Sequence, residues 1–295
     1  MKRFNFSLYP ENIRLALQRI GAEADAAGVR AYLVGGAVRD FLLGAASTDI
    51  DVVVEGDGLA FTRRLEAALK ARAVFHEKFW TAALTLKDGL VVDVVTARRE
   101  TYARGGALPD VVPATLKEDL LRRDFTINTL AVTLNAPEAG KLRDDCGGAR
   151  DLDAKLIRVL HDGSFKDDPT RVLRAARYAV RFGFQFEALT QDCLDQAVAA
   201  DVFTTITPAR YFLELRRILE EKDPVPAMDL LASWGAVRYV PYESEDRARL
   251  AAADGDWTVR LGALLDKMDI EAAREVLTAF NVSRSAQKKI VQKST

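Results

Sequence analysis

The chain reads as an α/β amino-terminal part followed by an all-α remainder. Three observations predict this. A short apolar strand, Ala31 to Val34, runs into Gly35-Gly36 and then into a helical AVRDFLL that stops at Gly44. A second apolar run, DIDVVVE from Asp49 to Glu55, follows it. After about residue 135 the strand signals nearly vanish, apart from the stretch Leu156 to Leu160, and helical spacing takes over.

In chain order, Ile13, Leu15, Leu17, Ile20 and Ala24 are roughly helically spaced between Pro10 and Gly28, which suit the start and end of a helix. The strand, tight turn and helix of residues 31–44 come next, then the Asp49 to Glu55 strand and a helix from Leu59 to Ala71. Two further runs, Thr81 to Leu86 and Leu90 to Thr96, flank Asp88-Gly89, a pair that suits a two-residue hairpin turn. The boundary between the parts falls near Gly147 to Arg158, and a helix from about Asp168 to Phe182 opens the second. Later helices are predicted at 190–201, 208–221, 225–233, 245–254, 257–268 and 270–279. No internal repeat or low-complexity segment interrupts this order.

The 295 residues are twice the ~150 of a typical domain, which predicts two domains or one with a helical appendage. Hydrophobic residues make up 49% and charged residues 29%, and no apolar run approaches the ~20 residues of a membrane span. This excludes a membrane protein and a disordered chain. Two cysteines (Cys146, Cys193) and two histidines (His76, His161) exclude a Cys/His zinc cluster and a disulfide framework, so a metal must sit on carboxylates. Forty-two basic against 43 acidic side chains, a net charge of -1, argue against gripping nucleic acid by overall charge but leave room for a local basic stripe. The start, MKRFNFSLYP, has too short an apolar stretch and no cleavage site for a secretory signal, so a cytoplasmic location with free thiols is expected.

Asp49 and Asp51, two apart on a strand, present their carboxylates on one face, where they repel. Either that face is wet and the repulsion screened, or a divalent cation such as Mg²⁺ neutralises the pair. The apolar run Val52 to Val54 points to a buried strand, which favours the cation. A third acid, Asp93, faces the pair if its strand is a neighbour. Gly35-Gly36 opens a helix where backbone N–H groups suit a phosphate, and Arg39 is one turn on; the plainer reading is a glycine turn with a surface arginine. A Rossmann fingerprint is not supported, because GGAVRDFLLG lacks the third glycine at its spacing. Arg122-Arg123-Asp124 either clamps a triphosphate or is surface. In DDPTRVLRAARYAVRFGF, Asp167 and Asp168 sit at a helix start, and Arg171, Arg174, Arg177 and Arg181 form one stripe with no acid among them. Such a stripe suits an anionic partner or a solvated face, while Val172, Leu173, Ala176 and Val180 can pack as core.

Together these stretches resemble the class II tRNA nucleotidyltransferases, the CCA-adding enzymes and their bacterial poly(A) polymerase relatives. The matching motifs are LVGGAVRDFLLG at 33–44, DIDVVVEGD at 49–57, RRDFTIN at 122–128 and DDPTRVLRAARYAVRFGF at 167–184, with weaker matches DDCGGARDL at 144–152 and TPARYFLELRRIL at 207–219. The resemblance covers about residues 31 to 235. It implies a polymerase-β-like nucleotidyltransferase palm over residues 1–147, a helical neck with the nucleotide-selecting helix over 148–235, and a helical body over 236–295 with the tail short or missing. It implies Asp49 and Asp51 as catalytic metal ligands for Mg²⁺, with Asp93 in a third-carboxylate position. Gly36, Arg39 and Arg123 would contact the triphosphate, and Asp168, Arg171, Arg174 and Arg177 would form the nucleotide pocket.

The implied activity is template-independent addition of C, alone or with A (CC or CCA), to the 3′ end of tRNA from CTP and ATP with release of pyrophosphate. No histidine base is then required. The alternatives are a poly(A) polymerase of the same fold and a catalytically inactive RNA-binding relative. Two departures from the family stand out. Asp167-Asp168 replaces the usual Glu-Asp, and ARRETYARGGALPDVVPATL at 97–116 has a Gly105-Gly106-Ala107-Leu108-Pro109 centre where CCA-adding members carry more charge. The chain also ends on a basic run with Arg284, Lys288, Lys289 and Lys293 and no acid.

Overall fold

Pro10 and Gly28 bracket the first helix, α1 (Glu11–Ala27): Pro10 lacks an N–H that a helix start leaves unpaired anyway, and Gly28 takes the left-handed conformation (φ +69°) that ends it. The protein is described here by a computed structural model over residues 4–45 and 47–291, so Lys293 lies outside the described residues. The chain divides into two compact units, residues 1–101 with 109–160, and residues 102–108 with 161–295.

In the first unit β1 (Arg30–Val34) leads through Gly35 into α2 (Gly36–Leu42), followed by β2 (Ile50–Glu55), α3 (Gly58–Leu69), β3 (Arg72–His76), β4 (Thr81–Thr85) and β5 (Val91–Thr96). The hairpin β6 (Arg98–Thr101) and β7 (Asp110–Pro113) precedes α4 (Leu116–Leu121), β8 (Ala131–Thr133), β9 (Leu142–Arg143), α5 (Gly148–Asp153) and β10 (Leu156–Ile157). Seven strands form one sheet in the order β3-β4-β5-β2-β1-β8-β9. Its described pairs are antiparallel except the central β2–β5, which is parallel. The β4–β5 turn corrects the two-residue expectation. Leu86 N–H donates to the Leu90 carbonyl and Gly89 N–H to that of Leu86, which makes a three-residue loop with Gly89 left-handed (φ +86°).

Val52, Val53 and Val54 are all fully buried, so β2 is covered on both faces. Val53, with Tyr32 and Val34 of β1, packs against Leu116 and Leu120 of α4. Because faces alternate, Asp51 lies on this same α4-covered face. Helices α1 and α3 pack on the sheet and on each other.

The second unit is helical: α6 (Ser164–Asp167), α7 (Thr170–Phe182), a two-residue β11 (Gln185–Phe186), α8 (Ala188–Ala199), α9 (Pro208–Leu219), α10 (Val225–Ser233), α11 (Ser244–Ala252), α12 (Trp257–Leu265), α13 (Ile270–Ala279) and α14 (Arg284–Val291). Helices α9 and α10 pack on α7, and α12 packs on α9. Phe212 of α9 stacks on Phe280 with ring centroids 4.6 Å apart, and its edge meets Trp257. Arg284 to Val291, the described part of the basic run for which no helix is predicted, form α14 around the buried Ile290. No described helix is long and apolar enough to cross a membrane.

Candidate active site

The parallel pairing of β2 with β5 sets Asp51 directly beside Asp93, and Asp49 stands one residue ahead of β2. One carboxylate oxygen from each of Asp49, Asp51 and Asp93 can be chosen so that all lie within 4.8 Å of one another. The neighbouring-strand condition for Asp93 is therefore met. Burial pushes the Asp51 carboxyl up to about 6, helped by Asp49 and, less, by Asp93, against the opposing pull of Arg123. Burial and Asp49 raise Asp93 as well. Three acceptor-only groups crowded in this way fit a hard divalent cation with oxygen ligands.

A pH dependence follows. A carboxyl raised in the folded state binds its proton more tightly there, so stability falls as pH climbs from the ordinary carboxylate value towards about 6. Without metal, the protein should melt higher at about pH 5 than at about pH 7.5, and a millimolar divalent cation should remove most of that difference by replacing the proton. Equal melting temperatures at the two pH values without metal would contradict this.

Beside the acids, Gly35 turns the chain at φ +68°, and a Cβ there would stand 2.8 Å from Nη1 of Arg123. Only glycine leaves room for that guanidinium. Of the two turn amides expected to face a phosphate, Gly35 N–H is already committed to the Leu130 carbonyl at 3.0 Å; Gly36 begins α2. Arg39 is not a surface arginine but 4% exposed. Its Nε and Nη2 hold Asp40 Oδ1 at 2.8 and 2.7 Å, and Nη1 donates to Asn128 Oδ1 at 2.5 Å.

RRDFTIN is pegged in place by Phe125 and Ile127, both fully buried, each contributing about 1.5–3 kcal/mol of burial. This orients Arg123, whose Nη2 meets Asp119 Oδ2 at 3.1 Å and whose Nη1 donates to the Asn128 carbonyl at 3.3 Å. Its buried Nε has no hydrogen-bond partner, an orphaned donor at a site suited to anions. Asp119 also receives Arg122 at 2.7 Å. Burial alone would raise its carboxyl, but Arg122 and Arg123 outweigh that and hold it below the usual range. The motif reading omits Asp119, although an acid in the last turn of a helix, three and four residues before two arginines at its end, is the signal that finds it.

The arginine stripe lies in the second unit. It is not a solvated face: Arg171 and Arg177 are buried, Arg174 is half-buried and Arg181 alone of the four is exposed. Nor does it lack acids, because α9 and the residues after it supply them. Glu214 Oε1 accepts from Arg174 at 3.3 Å and from Arg217 at 2.5 Å, and Glu214 Oε2 lies 3.7 Å from Arg177. Glu221 pairs with Arg177 and Arg181, both at 3.6 Å. Buried Nε of Arg177 and Oε2 of Glu214 have no hydrogen-bond partner.

Asp168 and Arg171 are joined through the backbone, Arg171 N–H to the Asp168 carbonyl at 3.0 Å, and their side chains are held separately. Asp168 Oδ1 accepts from Thr170 Oγ1 at 2.6 Å and Arg210 Nη2 at 2.9 Å, whereas Arg171 Nη1 donates to Ser164 Oγ at 2.5 Å. Arg210 also donates to the Gly106 carbonyl at 2.5 Å, and Gly106 N–H donates to the Asp167 carbonyl at 3.0 Å. Gly106 has φ +71°, and a Cβ there would stand 2.3 Å from Thr205 Oγ1, so this glycine is required for the segment to lie where it does. Sequence reasoning gives Arg210 and Glu214 no role, and the groups they meet on the arginine helix side, Asp168 and Arg174, are about forty residues away along the chain.

Comparison with known proteins accords with this geometry. Residues 31–158 match the family model described as Poly A polymerase head domain. The A-adding tRNA nucleotidyltransferase of Geobacter sulfurreducens is 46% identical over 76% of this chain, and the CC-adding tRNA nucleotidyltransferase of Deinococcus radiodurans 42% over 71%. The chain spans 26% of the length of the first and 55% of the second. The structure of the Thermotoga maritima CCA-adding enzyme complexed with tRNA superposes with a TM-score of 0.79 at 34% identity, over 100% of this chain and 74% of that one. Matched along its whole length to that enzyme and carrying the family's ordered motifs, the chain belongs to the class II tRNA nucleotidyltransferases, with a polymerase-β-like head followed by a helical region.

Proposed function

We propose that this protein adds nucleotides of the CCA set, C, A or both, to the 3′ end of tRNA from CTP and ATP, without a nucleic-acid template and with release of pyrophosphate. The observation that carries this reading is the Asp49, Asp51 and Asp93 cluster beside the half-buried Arg123, with the buried Arg39 on the adjoining helix α2. The Asp49 and Asp51 carboxylates would hold Mg²⁺, with Asp93 completing the acidic wall. Bound there, Mg²⁺ supplies the Lewis acidity that favours ionisation of the attacking 3′-hydroxyl and steadies the departing pyrophosphate. The 3′-oxygen forms a bond to the α-phosphorus, the bond from that phosphorus to the bridging oxygen breaks, and the hydroxyl proton passes to solvent. Arg39 and Arg123, with the backbone at Gly36, take the triphosphate charge and hold it in line.

Base choice falls to the second unit. C and A each present an exocyclic amino donor beside a ring-nitrogen acceptor, whereas U and G present a carbonyl and an N–H. Asp168 accepts and Arg171 donates, so they complement C and A; each unpaired buried group left by U or G costs about 1–3 kcal/mol. The bonds from Arg210 and Thr170 to Asp168, and from Arg171 to Ser164, fix both readers, which supports this assignment. Arg174 and Arg177 line the same pocket. In this reading residues 1–147 form the head, 148–235 the neck and 236–295 the body of a cytoplasmic enzyme.

Purified protein given Mg²⁺, tRNA ending at the discriminator base and each labelled nucleotide in turn should incorporate CMP or AMP but not UMP or GMP, and Asp49→Ala should incorporate none. No incorporation by the wild-type chain would overturn the proposal. The name of the matched family model favours one second reading, a poly(A) polymerase. Long A tails on a generic RNA supplied with ATP alone would select it.

A further inference from the structure

We propose that Asn128 is a positioning residue that sets both guanidinium groups of the phosphate clamp. The inference rests on the proposed function, in which Arg39 and Arg123 hold the triphosphate.

Asn128 is 5% exposed and closes the RRDFTIN run in a short 3₁₀ turn, Thr126–Asn128. It holds the two arginines by different atoms. Side-chain Oδ1 accepts from Arg39 Nη1 at 2.5 Å, and the backbone carbonyl accepts from Arg123 Nη1 at 3.3 Å. Its Nδ2 donates to Asp124 Oδ1 at 2.9 Å, an oxygen that also takes Phe125 N–H at 2.8 Å.

The row Asp124, Asn128, Arg39 therefore has one polarity, running from carboxylate through amide NH₂ and amide carbonyl to guanidinium. A primary amide supplies a donor at one end and an acceptor at the other. An Asp at 128 would set two carboxylates against each other and draw Arg39 into an ion pair that competes with phosphate. An apolar side chain would leave both ends unmatched. Asp40 already holds Nε and Nη2 of Arg39, so Asn128 fixes the remaining Nη1 and with it the plane of the guanidinium. Positioning of this kind lowers the ordering cost of binding an anion.

Because Arg39 is held by the side chain and Arg123 by the backbone, a substitution at 128 reaches the two clamp arginines through Arg39, leaving the backbone contact to Arg123 in place. Affinity for CTP and ATP with Mg²⁺, measured by calorimetry without RNA, tests this in a double-variant cycle with melting curves as the folding control. Asn128→Ala should weaken triphosphate binding about tenfold. Arg39→Ala should weaken it at least as much, and the double variant should match Arg39→Ala alone. The loss for CMP and AMP should be clearly smaller. Asn128→Asp, nearly isosteric, should weaken triphosphate binding in the same way and serves if Asn128→Ala does not fold.

Additive losses in the double variant, or equal losses for mono- and triphosphate, would make Asn128 a structural residue only. A wild-type chain that binds triphosphate but transfers nothing to tRNA would end the proposed function while the cycle still decides Asn128. A wild-type chain that binds no triphosphate would end both.

Discussion

Replacing Asp51 with Asn is expected to abolish nucleotide transfer, by on the order of 10³-fold or more, while raising the melting temperature of the metal-free protein at neutral pH. The two effects have one cause. Asp51 stands beside Asp49 and Asp93 on a half-buried strand face, and its carboxyl is pushed up to about 6, first by burial and then by Asp49. At neutral pH the folded protein holds this group ionised against its environment, a penalty of up to about 3 kcal/mol that is complete once pH exceeds the folded value. Asn keeps the shape and carries no charge, so the penalty disappears and so does the ligand. At about pH 4 the wild-type carboxyl is protonated in the fold, and the gain from Asn should vanish. Rate assays and metal-free melts at two pH values check both halves. An Asn variant that is less stable than wild type at neutral pH would show that the acids are not in conflict.

Asp119→Asn should destabilise the protein by about 3 kcal/mol or more and weaken triphosphate binding with it. Asp119 has no exposed surface. It receives Arg122 Nε and Nη2 at 3.0 and 2.7 Å, Arg123 Nη2 at 3.1 Å and the backbone N–H of Arg98 at 3.3 Å. Removing its charge leaves Glu100, which already pairs with Arg98 at 3.1 Å and Arg122 at 2.8 Å, as the acid shared by that group. Arg123 also loses a partner that orients it. The pH sign is opposite to that of Asp51. Arg122 and Arg123 outweigh burial to lower the Asp119 carboxyl, so its stabilisation is complete above the ordinary carboxylate range and is lost as pH falls through it and below. Urea unfolding at neutral pH reads the stability loss. An unchanged midpoint would place the stabilisation elsewhere.

Much of this arrangement is legible in the sequence. The helices of the second part were readable within a few residues because each buries an apolar stripe of the right period, as α10 (Val225–Ser233) and α13 (Ile270–Ala279) do. Strand β2 is readable because Val52 to Val54 are continuous and apolar, which is what burial on both faces demands. β3 is not legible: only two residues, the left-handed Lys70 and Ala71, separate it from α3, and the five residues RAVFH carry only weak apolar alternation. Two-residue β9 and β10 have no period to detect.

At the site, Asp49 and Asp51 were readable from spacing alone, but the approach of Asp93 depended on strand order, which local pattern does not contain. The stripe of Arg171, Arg174, Arg177 and Arg181 is readable as charge with no acid among its own residues, but the acids that face it are not. Glu214 and Glu221 neutralise it from a helix and its end some forty residues on. The Gly105-Gly106 centre was readable as a departure in composition. What it does sterically, lying against Thr205 and Lys166 where no Cβ fits, emerges only when those backbones are in place.

In the proposed function this chain builds CCA nucleotides onto tRNA with the Asp49, Asp51 and Asp93 cluster. Sequencing the 3′ ends of tRNA lacking CCA, after incubation with the protein, Mg²⁺ and all four nucleoside triphosphates, tests it most directly. The expected ends are extended by C, A or both and by nothing else, with no extension when Mg²⁺ is chelated. Unextended ends, or ends that carry U and G as often as C and A, would contradict it.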